Sequence, residues 1–142
     1  QDSLPFIDGD FMVLYGDTIS NIDIDNLKEF HHLSDHPVTM AVWPLVSQFG
    51  IVELDGRKVS NFATNPVLPH WINGGIYVLD RAFEDHLPEI GDHEDSTFPD
   101  LASSGLLGAF KSEARWRGMD SVKDHANLEK ELADHPLNYA GN

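Results

Sequence analysis

Two aspartates about a hundred residues apart, Asp17 and Asp120, sit where a carboxylate can do chemistry. Asp17 follows the apolar run Phe11 to Tyr15 and Gly16. In an open α/β sheet the carboxyl end of a strand faces the ligand crevice, so an aspartate there is positioned for a ligand. Asp120 lies in the run Trp116-Arg117-Gly118-Met119-Asp120-Ser121, after a short aromatic-led strand and just before a helix. Brought together, the two would offer hard oxygen ligands to one divalent cation, magnesium or manganese, and through it bind a phosphate. Each also has a plainer reading. Asp17 fits an Asx turn that takes backbone amides, and Asp120 fits an anion at a helix N-terminus. Between them, Asn73-Gly74-Gly75 opens an apolar stretch, where glycines allow close approach of a ligand or mark a bulge.

The elements that must hold these residues read as α/β. Phe11 to Tyr15 is a buried strand. Asp25 then caps a helix that runs to about His32, with Leu27 and Phe30 on one face. Val38 to Val42 is the next strand, parallel to the first through the helical crossover. Asp55-Gly56 is a tight-turn signal that pairs Ile51 to Leu54 with Lys58 to Phe62 as a hairpin. Trp71 to Leu79 is a strand, Arg81 to His86 a short helix, and Phe98 to Ser104 a helix ended by Gly105. Leu107 to Phe110 and Trp116 to Met119 are short strands. Ser121 caps the last helix, with Asp124 as a capping-box variant and Val122, Leu128 and Leu132 on its inner face; the tail from His135 is loop. A chain of 142 residues with 41% hydrophobic content suits one domain with one core.

The runs YGDTISNIDI, Phe49-Gly50-Ile51-Val52, WINGGIYVLD (Trp71 to Asp80) and WRGMDSVKD occur in the order and approximate spacing of the sugar-1-phosphate nucleotidyltransferases. The chain resembles that family, and glucose-1-phosphate cytidylyltransferase most nearly. The resemblance implies a Rossmann-like mixed sheet, partly parallel and flanked by helices. It also implies nucleotidyl transfer from a nucleoside triphosphate to a sugar 1-phosphate, with a magnesium or manganese cofactor. By resemblance Asp17 and Asp120 are the catalytic metal ligands, and Gly50, Asn73, Gly74 and Gly75 border the sugar. Such enzymes open with a Gly-rich, basic loop that cradles the triphosphate. No such loop occurs here, so the expectation is a single domain, 1–142, equivalent to the C-terminal part of the fold, either a fragment or a decayed stand-alone protein that is inactive alone. Where the family has Glu-Lys-Pro after the hairpin, this chain has Thr64-Asn65-Pro66. A lost lysine removes a phosphate bond worth about 1.5–3 kcal/mol, tenfold or more in affinity. The rival reading is a non-catalytic module that binds a sugar phosphate or another protomer.

Charge narrows the partners. With 24 acidic against 9 basic residues the chain carries −15, which repels nucleic acid and anionic membrane. The dispersed aspartates read as a solvated surface of the halophilic or marine kind. Apolar runs are strand-sized and no signal pattern opens the chain, so a soluble cytoplasmic protein is expected. The absence of cysteine excludes disulfides and thiolate chemistry. His31, His32 and His36 cluster across a predicted helix end at Ser34-Asp35, where no zinc-binding face is preformed, and the other histidines are scattered. With the first half of the sheet missing, Phe11 to Tyr15 or Val38 to Val42 would present an unpaired edge, so a homo-oligomer is expected.

Overall fold

The structure, a computed structural model, describes residues 6–86 and 94–135. Its hub is a long strand, β6 (Val67–Leu79), whose upper half Gly74 to Leu79 is buried throughout. Along β6 the side chains alternate. Ile76 and Val78 enter one apolar cluster with Ile22, Leu27, Ala41 and Trp43. Tyr77 and Leu79 enter a second cluster with Val38, Phe83 and Leu101. A period-two strand with both faces apolar requires a layer on each side. Helix α1 (Ile24–Leu33) supplies Leu27 to one face and α2 (Thr97–Ser103) supplies Leu101 to the other.

The four-stranded sheet has the order β1, β6, β3, β7, where β1 is Phe11–Leu14, β3 is Val38–Val46 and β7 is Leu107–Lys111. β6 runs antiparallel to both β1 and β3, while β3 and β7 are parallel, so the sheet is mixed as expected. β1 and β3 do share a direction through the α1 crossover, but they are not neighbours because β6 is inserted between them. Val38 to Val42 is therefore an interior strand, paired on both sides, and not an open edge. The hairpin forms as β4 (Ile51–Asp55) and β5 (Lys58–Ala63), with Gly56 at φ +60° in the turn. A second two-stranded ribbon, β2 (Thr18–Ser20) with β8 (Trp116–Gly118), joins the two aspartate loops.

Two local expectations change. The α1 cap is Asp23, whose side chain accepts from Asn26 N at 3.0 Å; Asp25 instead lies in the first turn, paired with Lys28 at 3.1 Å. The run Asp23-Ile24-Asp25 offers two candidate caps, and the helix starts at the earlier because Ile24 packs against the core. Ser121 caps α3 (Val122–Asp134) as expected, accepting from Asp124 N at 3.2 Å. On that helix Leu128 is buried, but Val122 is 89% exposed. Val122 follows the cap directly, and the helix meets the body further along, at buried Leu128 and at Glu131, which accepts from Arg117 Nε at 2.9 Å. The α2 stop is as expected: Gly105 at φ +68° lets Leu106 N donate back to Leu101 O at 2.9 Å. The tail after 135 lies outside the described residues.

Candidate functional site

Asp17 ends the turn after β1, and its carbonyl accepts from Met119 N at 2.9 Å, continuing the β2–β8 ladder in which Thr18 faces Gly118. Asp120 follows Met119, so the two aspartates flank one end of the same ribbon on exposed loops. Among the described residues neither carboxylate has a Lys or Arg partner. Thr18 Oγ1 reaches Asp17 Oδ1 only at 3.5 Å, a marginal bond.

The Asn73-Gly74-Gly75 segment is fastened to both loops. Tyr15 N donates to Gly75 O at 2.9 Å, and Trp116 Nε1 donates to Gly74 O at 2.9 Å. Trp43 Nε1 donates to Ala114 O at 2.8 Å, and its ring lies 6.0 Å from that of Trp116. A Cβ on Gly74 would collide with the Trp43 ring, and one on Gly75, at φ +70°, would press on Tyr15. Both glycines thus serve close packing inside the chain: aromatic rings occupy the space that side chains would fill. Gly50 lies elsewhere, at the foot of β4, with the Phe62 ring against its Cα. No hydrogen bond joins it to the aspartate loops among the described residues.

Sequence reading missed the polar network around Asn73. Its Oδ1 accepts from Gly75 N at 3.0 Å and Tyr77 Oη at 2.8 Å, while its Nδ2 donates to Glu94 Oε1 at 2.7 Å. Tyr15 Oη donates to the same Glu94 oxygen at 3.0 Å. Burial pushes the Tyr77 phenol well above its ordinary value, with Tyr15 adding to the effect, so Tyr77 remains a donor at any physiological pH. Asn73 is the visible signal in the sequence; Glu94 comes from a distant loop, and no local pattern foretells it. Where Glu-Lys would stand, Thr64-Asn65-Pro66 turns the chain from β5 into β6, with Asn65 at φ +49° and Pro66 O accepting from Ser47 N at 2.9 Å.

The mixed, partly parallel sheet with helices on both faces is a Rossmann-like fold. HddC from Yersinia pseudotuberculosis superposes with a TM-score of 0.65 at 18% identity, over 92% of this chain and 59% of that one. In sequence the chain is similar to a probable glucose-1-phosphate cytidylyltransferase of Bacillus subtilis, 29% identical over 87% of this chain and 49% of that protein. It is also similar to the glucose-1-phosphate cytidylyltransferase of Salmonella typhi, 28% identical over 84% of this chain and 47% of that enzyme. A UTP–glucose-1-phosphate uridylyltransferase of Synechocystis matches at 28% over 88% of this chain and 35% of the enzyme. The resemblance to sugar-1-phosphate nucleotidyltransferases therefore holds over most of the chain, which spans about half the length of the cytidylyltransferases it matches. No protein-family model matches the chain. Among the described residues no helix is long and apolar enough to cross a membrane.

Proposed function

We propose that this chain is the metal-binding and sugar-binding portion of a sugar-1-phosphate nucleotidyltransferase. In that reaction a phosphate oxygen of the sugar 1-phosphate attacks the α-phosphorus of a nucleoside triphosphate, and the bond to pyrophosphate breaks. The observation that carries this reading is the backbone bond between the two aspartate loops, Met119 N to Asp17 O at 2.9 Å, in a chain whose relatives perform this chemistry. Two exposed carboxylates without a basic partner are a suitable donor set for a hard divalent cation. Asp17 and Asp120 would hold magnesium or manganese, which when bound neutralises charge on the phosphates. Asn73, Gly74 and Gly75, fastened to the aspartate loops through Tyr15 and Trp116, would border the sugar, and Gly50, at the foot of β4, is assigned there on the resemblance alone.

The second reading, a binding module without catalysis, is favoured by Thr64-Asn65 in place of Glu-Lys. One experiment addresses both. In magnesium, glucose 1-phosphate at millimolar concentration should shift the amide NMR signals of Asn73 to Gly75. Purified chain should release no pyrophosphate from any nucleoside triphosphate, because phosphoryl chemistry is mostly positioning and charge stabilisation and the chain carries no Gly-rich loop. Unmoved Asn73 to Gly75 amides would end the sugar-site reading. Pyrophosphate release that disappears in Asp120→Ala would overturn the inactive-portion reading.

A homo-oligomer is part of the same proposal. Among the described residues β1 is an edge strand, with Leu14 58% exposed, and an unpaired edge recruits another strand. Self-association should strengthen at high salt, where screening relieves repulsion between chains of charge −15. Sedimentation across a salt series tests it, and a monomer at every salt level at tens of micromolar protein would refute it.

A further inference from the structure

At the opposite end of the sheet from Asp17, the ends of four segments meet around one buried histidine. His31, on the last turn of α1, is 2% exposed. Its Nδ1 lies 2.8 Å from Thr39 Oγ1 on β3, and its Nε2 lies 2.9 Å from Asp80 Oδ1, just past β6. Asp10, just before β1, brings a carboxylate oxygen to the same place, so that its oxygen, the His31 nitrogen and an Asp80 oxygen all lie within 4.8 Å of one another. The register explains the convergence. Phe11 pairs with Leu79 and Leu79 with Val38, so the residues flanking those pairs, Asp10 and Asp80, are brought together at the α1 end of the sheet. Asp80 N donates to Pro37 O at 2.9 Å, which fixes the Asp80 backbone, and Asp10 Oδ1 accepts from Arg81 N at 3.2 Å, which holds the Asp10 carboxylate. His32 Nδ1 stands 3.6 Å from the other Asp10 oxygen, while the Arg81 side chain is turned to Ile7 O through its Nε at 2.9 Å.

The Thr39-His31-Asp80 chain is not a nucleophilic triad. Thr39 is fully buried, and no substrate can reach its hydroxyl. The chemistry fits a metal better. A metal-bound imidazole characteristically offers one nitrogen to the ion while a neighbouring oxygen fixes the other, and Thr39 is placed to do that for Nδ1. The carboxylates of Asp10 and Asp80 are 38% and 46% exposed, which opens the site to solvent. We propose that Asp10, His31 Nε2 and Asp80 bind one divalent transition-metal ion, zinc being the best match. One imidazole with two carboxylates selects zinc or a similar ion over magnesium, which prefers an all-oxygen shell. Ligand atoms in a tetrahedral zinc site lie about 3.3 Å apart given bonds of about 2.0–2.1 Å, so the three atoms, which lie within 4.8 Å of one another, would draw together on the ion. Binding requires the ion to displace the hydrogen through which Nε2 and Asp80 Oδ1 meet at 2.9 Å, leaving the ring with its proton on Nδ1, donated to Thr39, and its lone pair on Nε2.

The site is independent of the sugar-phosphate reading, and the experiment keeps the two apart. Full-length chain is titrated with zinc chloride, and separately with magnesium chloride, by calorimetry, and the His31 ring carbons are followed by NMR. The expected result is one zinc per chain at this site, the Nδ1-protonated tautomer of His31, and no response of that ring to magnesium. Asp10→Asn and Asp80→Asn replace exposed carboxylates with near-isosteres that should fold, and each should weaken zinc by about tenfold or more. Asp17→Asn should leave zinc affinity at this site unchanged. Zinc affinity equal to the parent in both the Asp10 and Asp80 variants, or an unmoved His31 ring at saturating zinc, would overturn the assignment and leave the cluster as a hydrogen-bonded strut between α1, β3 and β6.

Discussion

Trp43→Ala is expected to cost about 3–5 kcal/mol of folding stability, the range for removing a large buried aromatic side chain. Trp43 is 4% exposed. Its ring fills the space above Gly74, lies beside Trp116, and donates to Ala114 O at 2.8 Å on the way into β8. Truncation leaves a cavity between β3, β6 and β8 and orphans the Ala114 carbonyl. Since a domain of this size is stable by about 5–15 kcal/mol, the variant should retain a fold with its melting temperature lowered by roughly 10–20 °C. Trp43→Phe keeps most of the packing and loses the indole donor, so its cost should be nearer 1–2 kcal/mol. Chemical denaturation of the two variants checks both numbers. A loss below about 1 kcal/mol for Trp43→Ala would mean that the Gly74–Trp43 contact is not what ties β6 to the ribbon.

Much of this arrangement was legible in the sequence, for identifiable reasons. The Asp55-Gly56 turn, the Gly105 stop and the Ser121 cap are set by residues within a few positions of one another, and each forms as read. Asp17 and Asp120 read as candidate ligands from their places after strands, and the resemblance strengthened their pairing; the bond that joins their loops spans about a hundred residues and has no local signal. The insertion of β6 between β1 and β3 left no local trace. A strand apolar on both faces reads alike at any interior position of a sheet, and only the antiparallel return of a 13-residue strand decides the order. The α1 cap lies at Asp23, two residues before the Asp25 read from the sequence, because tertiary packing of Ile24 starts the helix earlier. His31 read as one of three clustered histidines at a helix end; its burial follows from Thr39 and Asp80, 8 and 49 residues away.

The second large effect concerns the metal. Asp17→Asn and Asp120→Asn should each weaken manganese or magnesium binding at the ribbon by tenfold or more, since each removes one of two protein charges and a charge-assisted ligand worth about 1.5–3 kcal/mol. Because one ion would bridge both carboxylates, the double variant should bind little worse than either single one, the non-additivity expected of residues acting as a unit.

Paramagnetic broadening by manganese tests the central claim most directly, because it reports where the ion sits as well as how tightly it binds. With substoichiometric manganese, the amides of Thr18, Gly118 and Met119 should broaden first, and in either aspartate variant that broadening should require about tenfold more ion. Broadening that spares those three amides, or that persists unchanged when Asp17 and Asp120 are both asparagine, would contradict a metal held between the two loops and with it the nucleotidyltransferase reading of this chain.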